Sequence, residues 1–327
     1  MLNIASAVLK RLAFSVVLIV MVIVLNFLLI HLAPGDPVDI LAAEMGGATP
    51  ELQARLRELY GLDRPVHEQL LRYIVRVLHG DLGVSFFNNA PVTELILRHL
   101  WPTMLLVLTA LFFSSVTGTL LGVFASVSPR GIGSAIITVL SLVGYAAPVF
   151  WTGIMMIILF AWLIPVFPAQ GMMTFGLDGG LMVQSLDIAH HLVLPAFTLS
   201  TIYIAQYSRI SRASMLEVLG SDYIRTARAK GMPKQTVIFK HALRNAILPV
   251  ITLAGMQFGN LISGAVLVET VFSWPGLGTL AYDSILARDY PTVLGLLLIS
   301  SIVVITANFL TDLCYRLADP RIKKSQG

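Results

Sequence analysis

Long apolar runs separated by short polar segments dominate the chain, and this pattern predicts membrane-spanning helices. Residues 12–30 and 101–128 contain no charged side chain, and three further apolar runs cover 188–208, 245–268 and 291–311. A helix needs about 20 mainly apolar residues to cross the ~30 Å hydrocarbon core of a bilayer. Each of these five runs is therefore long enough to span a membrane once.

A sixth span is predicted within the uncharged stretch 131–177, which is too long for one simple helix. Pro148 lies in its middle, and Pro165 and Pro168 lie near its end. Because proline lacks a backbone N–H and clashes with the preceding turn, it kinks or ends a helix. We expect a helix over about 132–163 that bends near Pro148, followed by an irregular loop.

The composition agrees with a multi-pass membrane protein of 327 residues. Hydrophobic residues make up 56% of the chain, charged residues 12%, and the mean hydropathy is +0.82, whereas about 25% of the residues of a soluble domain are charged. The apolar run at 12–30 is longer than the ~7–15 residues of a signal-peptide core, so we interpret it as an uncleaved helix. The single cysteine, Cys314, excludes an internal disulfide.

The distribution of Lys and Arg predicts how the chain is oriented. If both termini are cytoplasmic, most of the 22 Lys and Arg residues lie on the cytoplasmic side and most of the 18 Asp and Glu residues lie outside, as the positive-inside rule requires. The basic residues are therefore a topology signal, and nucleic acid is not an expected partner. The predicted regions are 1–31 (N-terminal end and first span), 32–99 (extracytoplasmic segment), 100–316 (membrane core) and 317–327 (cytoplasmic tail).

The extracytoplasmic segment 32–99 is too long to be a simple connection, and its sequence predicts two helices. Pro50 opens the first, which Gly61 ends. Pro65 opens the second, in which Val66, Leu70, Ile74 and Leu78 repeat on one face. Two roles remain open for this segment: a lid packed on the membrane helices, or a docking platform for an extracytoplasmic partner.

The most polar long stretch of the chain is 221–245, which holds six Lys or Arg residues against one Asp. Ser221 or Asp222 is placed to cap a helix of about two turns, and Gly231 ends it, with positive φ expected at that glycine. Pro233 begins a second helix, which enters the fifth span near Asn245. A helix of about eight residues is marginal alone, so it must pack on something.

Two surfaces are candidates for holding this short helix. A basic amphipathic helix can lie on anionic lipid, but Tyr223, Ile224 and Ala227 form a weak apolar face. Small residues beside a tyrosine are better suited to a groove on another protein.

Sequence motifs for catalysis and for nucleotide or metal binding are absent. There is no Gly-rich phosphate loop followed by Lys and Ser or Thr, no H-E-x-x-H and no G-x-S-x-G. No catalytic residue and no metal ligand is therefore assigned. The spans hold almost no ionisable residues, whereas ion-driven carriers usually need them at depth. Energy for uphill transport must then come from another subunit, although a stand-alone carrier or channel stays an alternative, with a membrane protease a weaker one.

The fifth span carries a small-residue repeat with polar neighbours. Gly255, Gly259 and Ser263 recur every four residues, and Gln257 and Asn260 lie in the same stretch. Small residues at this spacing let helices approach closely. The repeat predicts intramolecular packing, a seam with a second membrane subunit, or a polar wall of a translocation path. Flanking the bend at Pro148, two aromatic residues either line such a path or fill the core: Tyr145 and Trp151.

Several motifs in one order resemble a known family. The stretch "DYIRTARAKG" (222–231) followed by "KHALRNAILPV" (240–250) is similar to the cytoplasmic coupling loop of ABC importer permeases of the dipeptide, oligopeptide and nickel group, and most like the B-type subunit of dipeptide permeases. The resemblance extends along the chain through "HLAPGDPV" (31–38), "GLDRPVHEQLLRYI" (61–74), "GDLGVSF" (80–86), "LPAFTLS" (194–200), "ETVFSWPGLGTL" (269–280), "ARDYP" (287–291) and "LADPRIK" (317–323).

The resemblance implies an all-α type I importer transmembrane domain with six spans in a bacterial cytoplasmic membrane. It implies a heterodimer with a second, homologous permease, two ATPase subunits that bind ATP and Mg²⁺, and an extracytoplasmic substrate-binding protein. This chain itself would bind no cofactor. Di- and oligopeptides are the expected substrates, and nickel, glutathione or another small peptide-like solute is the alternative.

The resemblance also assigns a role to the basic stretch, as a coupling loop over 213–244 whose short helix docks on an ATPase. The general pattern E-A-A-x-x-x-G places Arg225 at the Glu position and Thr226 at the first Ala, so that only Ala227 and Gly231 match directly. The residues expected to serve ATPase coupling are Tyr223, Arg225, Thr226, Ala227, Arg228, Lys230 and Gly231.

Overall fold

The computed structural model of the chain describes residues 2–32, 49, 64–85, 87–177 and 179–318. Over these ranges the chain is helical, and its one extended pairing is an isolated bridge between Val84 and Pro91. The helices in chain order are α1 (Leu2–Leu32), α2 (Val66–Leu78), α3 (Val92–Val127), α4 (Ile132–Ala146), α5 (Val149–Ile157), α6 (Leu181–Leu219), α7 (Asp222–Ala229), α8 (Leu243–Ala246), α9 (Leu248–Phe272), α10 (Leu277–Leu286) and α11 (Tyr290–Ala318). Two π-helical segments are π1 (Ile158–Leu163) and π2 (Thr236–Ala242).

The described residues contain up to six candidate membrane spans, by length and composition, when each bent helix pair counts as one. Helices α1, α3, α6 and α11 each contain a window long and apolar enough to cross a bilayer. The pair formed by α4 and α5 with π1 meets the same criterion, as does the pair formed by π2 and α8 with α9. The predicted all-α fold with six spans is confirmed in this sense.

The predicted bend at Pro148 is a sharp break. Helix α4 ends at Ala146, Ala147 is extended with ψ 132°, and α5 begins at Val149. The two arms meet at 104°, because the residue before a proline is driven out of the helical conformation. The described residues between π1 and α6 are irregular, as expected, and Gly171 and Gly176 adopt positive φ there.

Two spans differ from their predicted limits. Helix α6 runs from Leu181 to Leu219 and so extends beyond the apolar run 188–208 at both ends. The predicted fifth span, 245–268, is interrupted at Ile247, where the chain turns by 48° from α8 into α9. Pro249 follows within the first turn of α9, the position at which a missing N–H costs nothing.

The chain forms two compact units, of which the first comprises the described parts of Met1–His99 with Leu280–Thr306. Here α1 contacts α2 through the rings of Phe27 and Tyr73, whose centroids lie 6.0 Å apart. Asn26 Nδ2 donates to the Leu294 carbonyl oxygen at 3.0 Å. The buried carboxylate of Asp289 accepts a hydrogen bond from Ser85 Oγ at 2.5 Å, so the segment after α2 is joined to the start of α11.

The second helix predicted within 32–99 is confirmed as α2, while the first, over 50–60, lies outside the described residues, and an extracytoplasmic location of this segment stays a prediction. The predicted apolar face of α2 is only partly right, because Val66 and Leu78 are exposed while Leu70 and Ile74 are half-buried. After α2, Arg76 Nε donates to Asp81 at 2.8 Å, and this bond holds the pKa of Asp81 below its usual range.

The second unit comprises the described parts of Leu100–Thr279 and Ala307–Gly327, and α6 runs through its core. Gly118 and Gly122 of α3 lie against α6, where a Cβ on Gly122 would come within 2.6 Å of the Ser211 side chain. Only glycine permits this close approach. The largest fully buried apolar side chains of this core include Leu106, Leu199, Tyr207, Leu261, Phe272 and Trp274.

Candidate functional site

Helix α7 begins directly after Ser221, which has the extended conformation typical of an N-cap residue (φ −73°, ψ 155°). The predicted side-chain cap is wrong, because the Ser221 hydroxyl instead donates to the Val218 carbonyl oxygen at 2.6 Å. Asp222 stands in the first turn, where a carboxylate is favoured by the helix dipole. Its 3.5 Å ion pair with Arg225 is exposed and so adds little stability.

Gly231 ends the helix in the left-handed conformation, with φ +74°. Its N–H donates to the Arg228 carbonyl oxygen at 3.0 Å, and the N–H of Met232 donates to that of Ala227 at 3.3 Å. These two bonds form a Schellman motif, which satisfies carbonyls that the helix end would leave unpaired. The positive φ expected at this glycine is confirmed.

One face of α7 packs on the chain itself. Ile224 is fully buried, and Ala227, one turn later, packs at the edge of the same group. This α7 cluster consists of Val123, Met215, Ile224, Val237, Ile238, Ala242 and Ala246, which come from α3, α6, α7, π2 and α8. The short helix is therefore held by its own chain, and Ala227 faces inward rather than forming part of an exposed groove-filling face.

The remaining faces of α7 are open and basic. Tyr223 has 45% of its surface exposed. The other exposed side chains among the predicted coupling residues are Arg225, Thr226, Arg228 and Lys230. Because these side chains are positive or polar and the helix beneath them is fixed by Ile224, they form a defined, electropositive surface that can receive another protein.

Comparisons with known proteins assign the chain to a family. Residues 118–324 match the model of the binding-protein-dependent transport system inner membrane component, and residues 4–107 match that of the N-terminal part of such membrane components.

The chain belongs to this family of transport permeases.

Among its relatives, the dipeptide transport system permease protein DppB of Escherichia coli (strain K12) is 42% identical over 97% of this chain and 98% of its own length. The oligopeptide transport system permease protein AppB of Bacillus subtilis (strain 168) is 37% identical over 98% of this chain and 99% of its own. The resemblance to peptide-group permeases found in the sequence is thereby confirmed. The predicted location, as a multi-pass protein of the inner membrane, is confirmed as well.

A solved structure supports the fold. A chain of the MetNI methionine ABC transporter, in an inward-facing conformation, superposes with a TM-score of 0.53 at 20% identity, covering 69% of this chain and 97% of that chain. At this identity the likeness concerns the fold alone, and it agrees with a type I importer permease.

The candidate residues of the translocation path or subunit interface differ in their surroundings. Tyr145, at the end of α4, and Trp151, at the start of α5, are each 50% exposed on either side of the Pro148 break. Gly255 and Gln257 instead face helices of the same chain. The side chains of Asn260 and Ser263 lie outside the described part of the structure.

Contacts within the permease explain part of the small-residue repeat in α9. Gly255 packs against Thr311 of α11, and a Cβ there would overlap the threonine side chain. Gln257 Nε2 donates to Gln206 Oε1 of α6 at 2.5 Å in a partly buried site. Gly259 lies on the same helix and is half-buried. Intramolecular packing thus accounts for Gly255, and a subunit seam stays a prediction for the rest.

Sequence reasoning missed the importance of Glu269 in the permease. This residue stands in the last turn of α9, at the edge of an apolar run, yet it is fully buried. Its carboxylate accepts hydrogen bonds from Thr103 Oγ1 at 2.6 Å and from the N–H groups of Gly278 (2.6 Å) and Thr279 (3.3 Å). It therefore caps the start of α10.

The glycines that follow Glu269 make room for its carboxylate. A Cβ on Gly276 would overlap that carboxylate, and one on Gly278 would lie 2.7 Å from it. The signal that could have revealed this arrangement was an acid at the end of an apolar helix followed closely by W-P-G-L-G-T. Within the described ranges, no group of three or more His, Cys, Asp and Glu residues is arranged to hold a metal ion.

Proposed function

We propose that this permease forms half of the translocation pathway of an importer of di- and oligopeptides, driven by ATP hydrolysis on partner subunits. The observation that carries the substrate class is the 42% identity, over 97% of the chain, to a permease of a dipeptide transport system. A relative at 37% identity is a glutathione transport system permease, which keeps glutathione as the second candidate.

The division of labour follows from what the chain contains. No phosphate-binding loop occurs in the sequence, so ATP and Mg²⁺ belong to two ATPase subunits and the permease has no enzymatic activity of its own. A second, homologous permease completes the pathway, and a soluble protein delivers substrate from outside. Both termini of this chain are cytoplasmic, as the distribution of Lys and Arg favours.

Helix α7 is the coupling helix in this proposal. Its exposed side chains, which include Arg225, Arg228, Lys230 and the half-exposed Tyr223, would dock on an ATPase subunit. Ile224 anchors the opposite face, so that a push on α7 would reach the ends of α3 and α6. The ATPase cycle would thus convert the membrane helices between outward- and inward-facing arrangements.

The translocation path is proposed to include the aromatic side chains at the helix break, Tyr145 and Trp151. Their half-exposed rings on α4 and α5 lie outside the packed core of the second unit. On α9, Gly259, Asn260 and Ser263 are proposed to belong to the translocation path or to a seam with the second permease, because small residues such as Gly259 and Ser263 let helices pack closely.

Reconstitution tests the proposal. The permease, purified with its second permease and its ATPases, is placed in liposomes with the binding protein, and uptake of radiolabelled dialanine is measured with unlabelled glutathione and Ni²⁺ as competitors. We expect ATP-dependent dialanine uptake, and no ATP hydrolysis by this chain alone. Dialanine uptake driven by an ion gradient without the ATPases would instead identify a secondary carrier. ATP-dependent uptake of radiolabelled glutathione, with no uptake of dialanine, would select the second candidate.

A further inference from the structure

A hydrogen bond joins the short helix α7 to the segment that leads into α9. Asn245 Nδ2 donates to the hydroxyl oxygen of Tyr223 at 2.8 Å, across 22 residues of chain. Tyr223 is the second residue of α7, and Asn245 is the third residue of α8. The contact is between two exposed side chains.

The residues next to this pair form its apolar counterpart. Ile224 and Ala246 are both buried, and both belong to the α7 cluster. Tyr223 and Asn245 therefore supply a polar connection between α7 and α8 at the surface. Their neighbours Ile224 and Ala246 supply an apolar connection beneath it. Such a double connection adds a polar restraint on the direction of α7 relative to α8 to the apolar packing of Ile224 and Ala227.

The position of Asn245 along the chain gives the bond its significance. It lies two residues before Ile247, where the chain turns by 48° and enters α9. Across that turn, α9 packs against α6 and carries Gln257, which is bonded to Gln206. A displacement of α7 that passes through Asn245 therefore arrives at the base of a membrane helix.

The bond is poorly suited to a role in folding. Both partners are uncharged and exposed, so that water replaces each of them when the bond is broken and the net stabilisation is small. The phenol ring of Tyr223 is exposed, as is Thr226, its i+3 neighbour on the same face of α7. Holding its hydroxyl fixes the ring on that face.

We propose that Tyr223 and Asn245 are positioning residues for energy coupling, an inference that rests on the proposed function of α7. Their hydrogen bond holds α7 at a set angle to α8, so that movement imposed on α7 by an ATPase is passed to α9 rather than lost as rocking of the short helix. Tyr223 thus acts within its own chain through its hydroxyl, in addition to presenting its ring to the partner.

Substitutions that remove the acceptor or the donor test this role in the reconstituted complex. Tyr223→Phe removes the acceptor, and Asn245→Leu removes the donor while keeping a similar volume. The measured quantity is the number of ATP molecules hydrolysed per dialanine transported. We expect each variant to raise this ratio about threefold to tenfold, the range that corresponds to the loss of one neutral hydrogen bond, and the double variant to raise it no further than either single one.

Two further variants separate this role from a general structural one. In Asn245→Asp the tyrosine hydroxyl can donate to the new carboxylate, so this variant should keep a ratio near that of the wild type. The ratio should rise when Asn245→Asp is combined with Tyr223→Phe. Tyr282→Phe, the same change at a tyrosine that is 49% exposed on α10, should leave the ratio unchanged.

The outcomes distinguish this inference from the proposed function. If the wild-type complex transports dialanine with ATP and Gly231→Val uncouples it, but Tyr223→Phe and Asn245→Leu keep the wild-type ratio, the positioning role is wrong and the proposed function stands. Additive effects of the two substitutions, or loss of ATPase co-purification with Tyr223→Phe, would also overturn it, since the hydroxyl would then act on the partner directly. Absence of ATP-dependent dialanine uptake by the wild type would count against the proposed function itself.

Discussion

Thr103 donates a hydrogen bond to the Glu269 carboxylate at 2.6 Å, although 166 residues separate them in the chain. The same threonine oxygen accepts the N–H of Leu277 at 2.7 Å. Beside this pair, the indole N–H of Trp274 donates to the Pro102 carbonyl oxygen at 3.0 Å. The carboxylate thus ties α3 to the turn between α9 and α10, and Thr103, Leu277 and Trp274 are all buried.

Glu269→Leu should destabilise the permease by about 2–4 kcal/mol. The substitution leaves the N–H groups of Gly278 and Thr279 without their acceptor in a buried site, and unpaired buried groups carry a desolvation penalty. The measurement is thermal unfolding of the purified complex in detergent. Glu217→Gln, at an exposed position on α6, is the control and should not shift the unfolding temperature. An unchanged transition in Glu269→Leu would show that the network is dispensable.

Asp289→Ala should loosen the first unit. The Asp289 carboxylate accepts bonds from Ser85 Oγ at 2.5 Å and from Thr292 Oγ1 at 2.6 Å, and all three residues are buried. Without the acceptor, two buried hydroxyl groups lose their partner. We expect limited proteolysis to cut the segment 79–91 at least several-fold faster. The control variant Asp283→Ala changes a nearby exposed residue, and its segment 79–91 should be cut at the wild-type rate. Equal rates for the two variants would contradict the prediction.

Gly231→Val should uncouple ATP hydrolysis from transport. A Cβ at this position would meet nothing within 4 Å, so the penalty arises only from the positive φ and amounts to about 1 kcal/mol or more. We expect more ATP molecules to be hydrolysed per dialanine transported than in the wild type. Gly231→Asn should be milder, because asparagine tolerates this conformation. Gly220→Ala, at a glycine with φ −83° in the same segment, is the matched control; wild-type coupling in Gly231→Val would refute the assignment of α7.

Ala227→Glu should lower the stability of the α7 cluster. Because Ala227 packs at the edge of buried apolar side chains, the new carboxylate must either be buried without a partner or displace the helix, at a cost of about 1–3 kcal/mol. Ala229→Glu, two residues later at an exposed position, should leave the thermal transition unchanged. Equal transitions for the two variants would mean that Ala227 does not face the cluster.

Features governed by short-range chemistry were predictable from the sequence. The apolar runs predicted the spans, because twenty apolar residues have few alternatives to a membrane helix. Pro148 predicted the break between α4 and α5, and Gly231 predicted the end of α7 in a left-handed conformation. These effects depend on the residue itself and its immediate neighbours. The cap at Ser221 failed since the hydroxyl had a competing acceptor, the Val218 carbonyl, within reach.

The candidate site was predictable as a segment but not as a surface. Charge and the family resemblance both indicated 221–245, yet neither could show that Ile224 is buried while Tyr223 is exposed, or that Ala227 faces inward. Those orientations depend on Val123 and Met215, which lie on helices far away in the sequence. The role of Gly255 could not be predicted for the same reason, because it depends on close packing against Thr311 of α11.

The sequence by itself determined the membrane location, the approximate spans, the break at Pro148, the end of α7 at Gly231 and the family, since hydropathy and proline and glycine chemistry act locally. Only the tertiary structure decided which side chains meet. It buried Glu269 beside Thr103, paired Gln206 with Gln257 and joined Tyr223 to Asn245. Each of these contacts brings together groups that are distant along the chain. A polar group can bind water equally well, so its protein partner is decided only by the packing that places the two groups side by side.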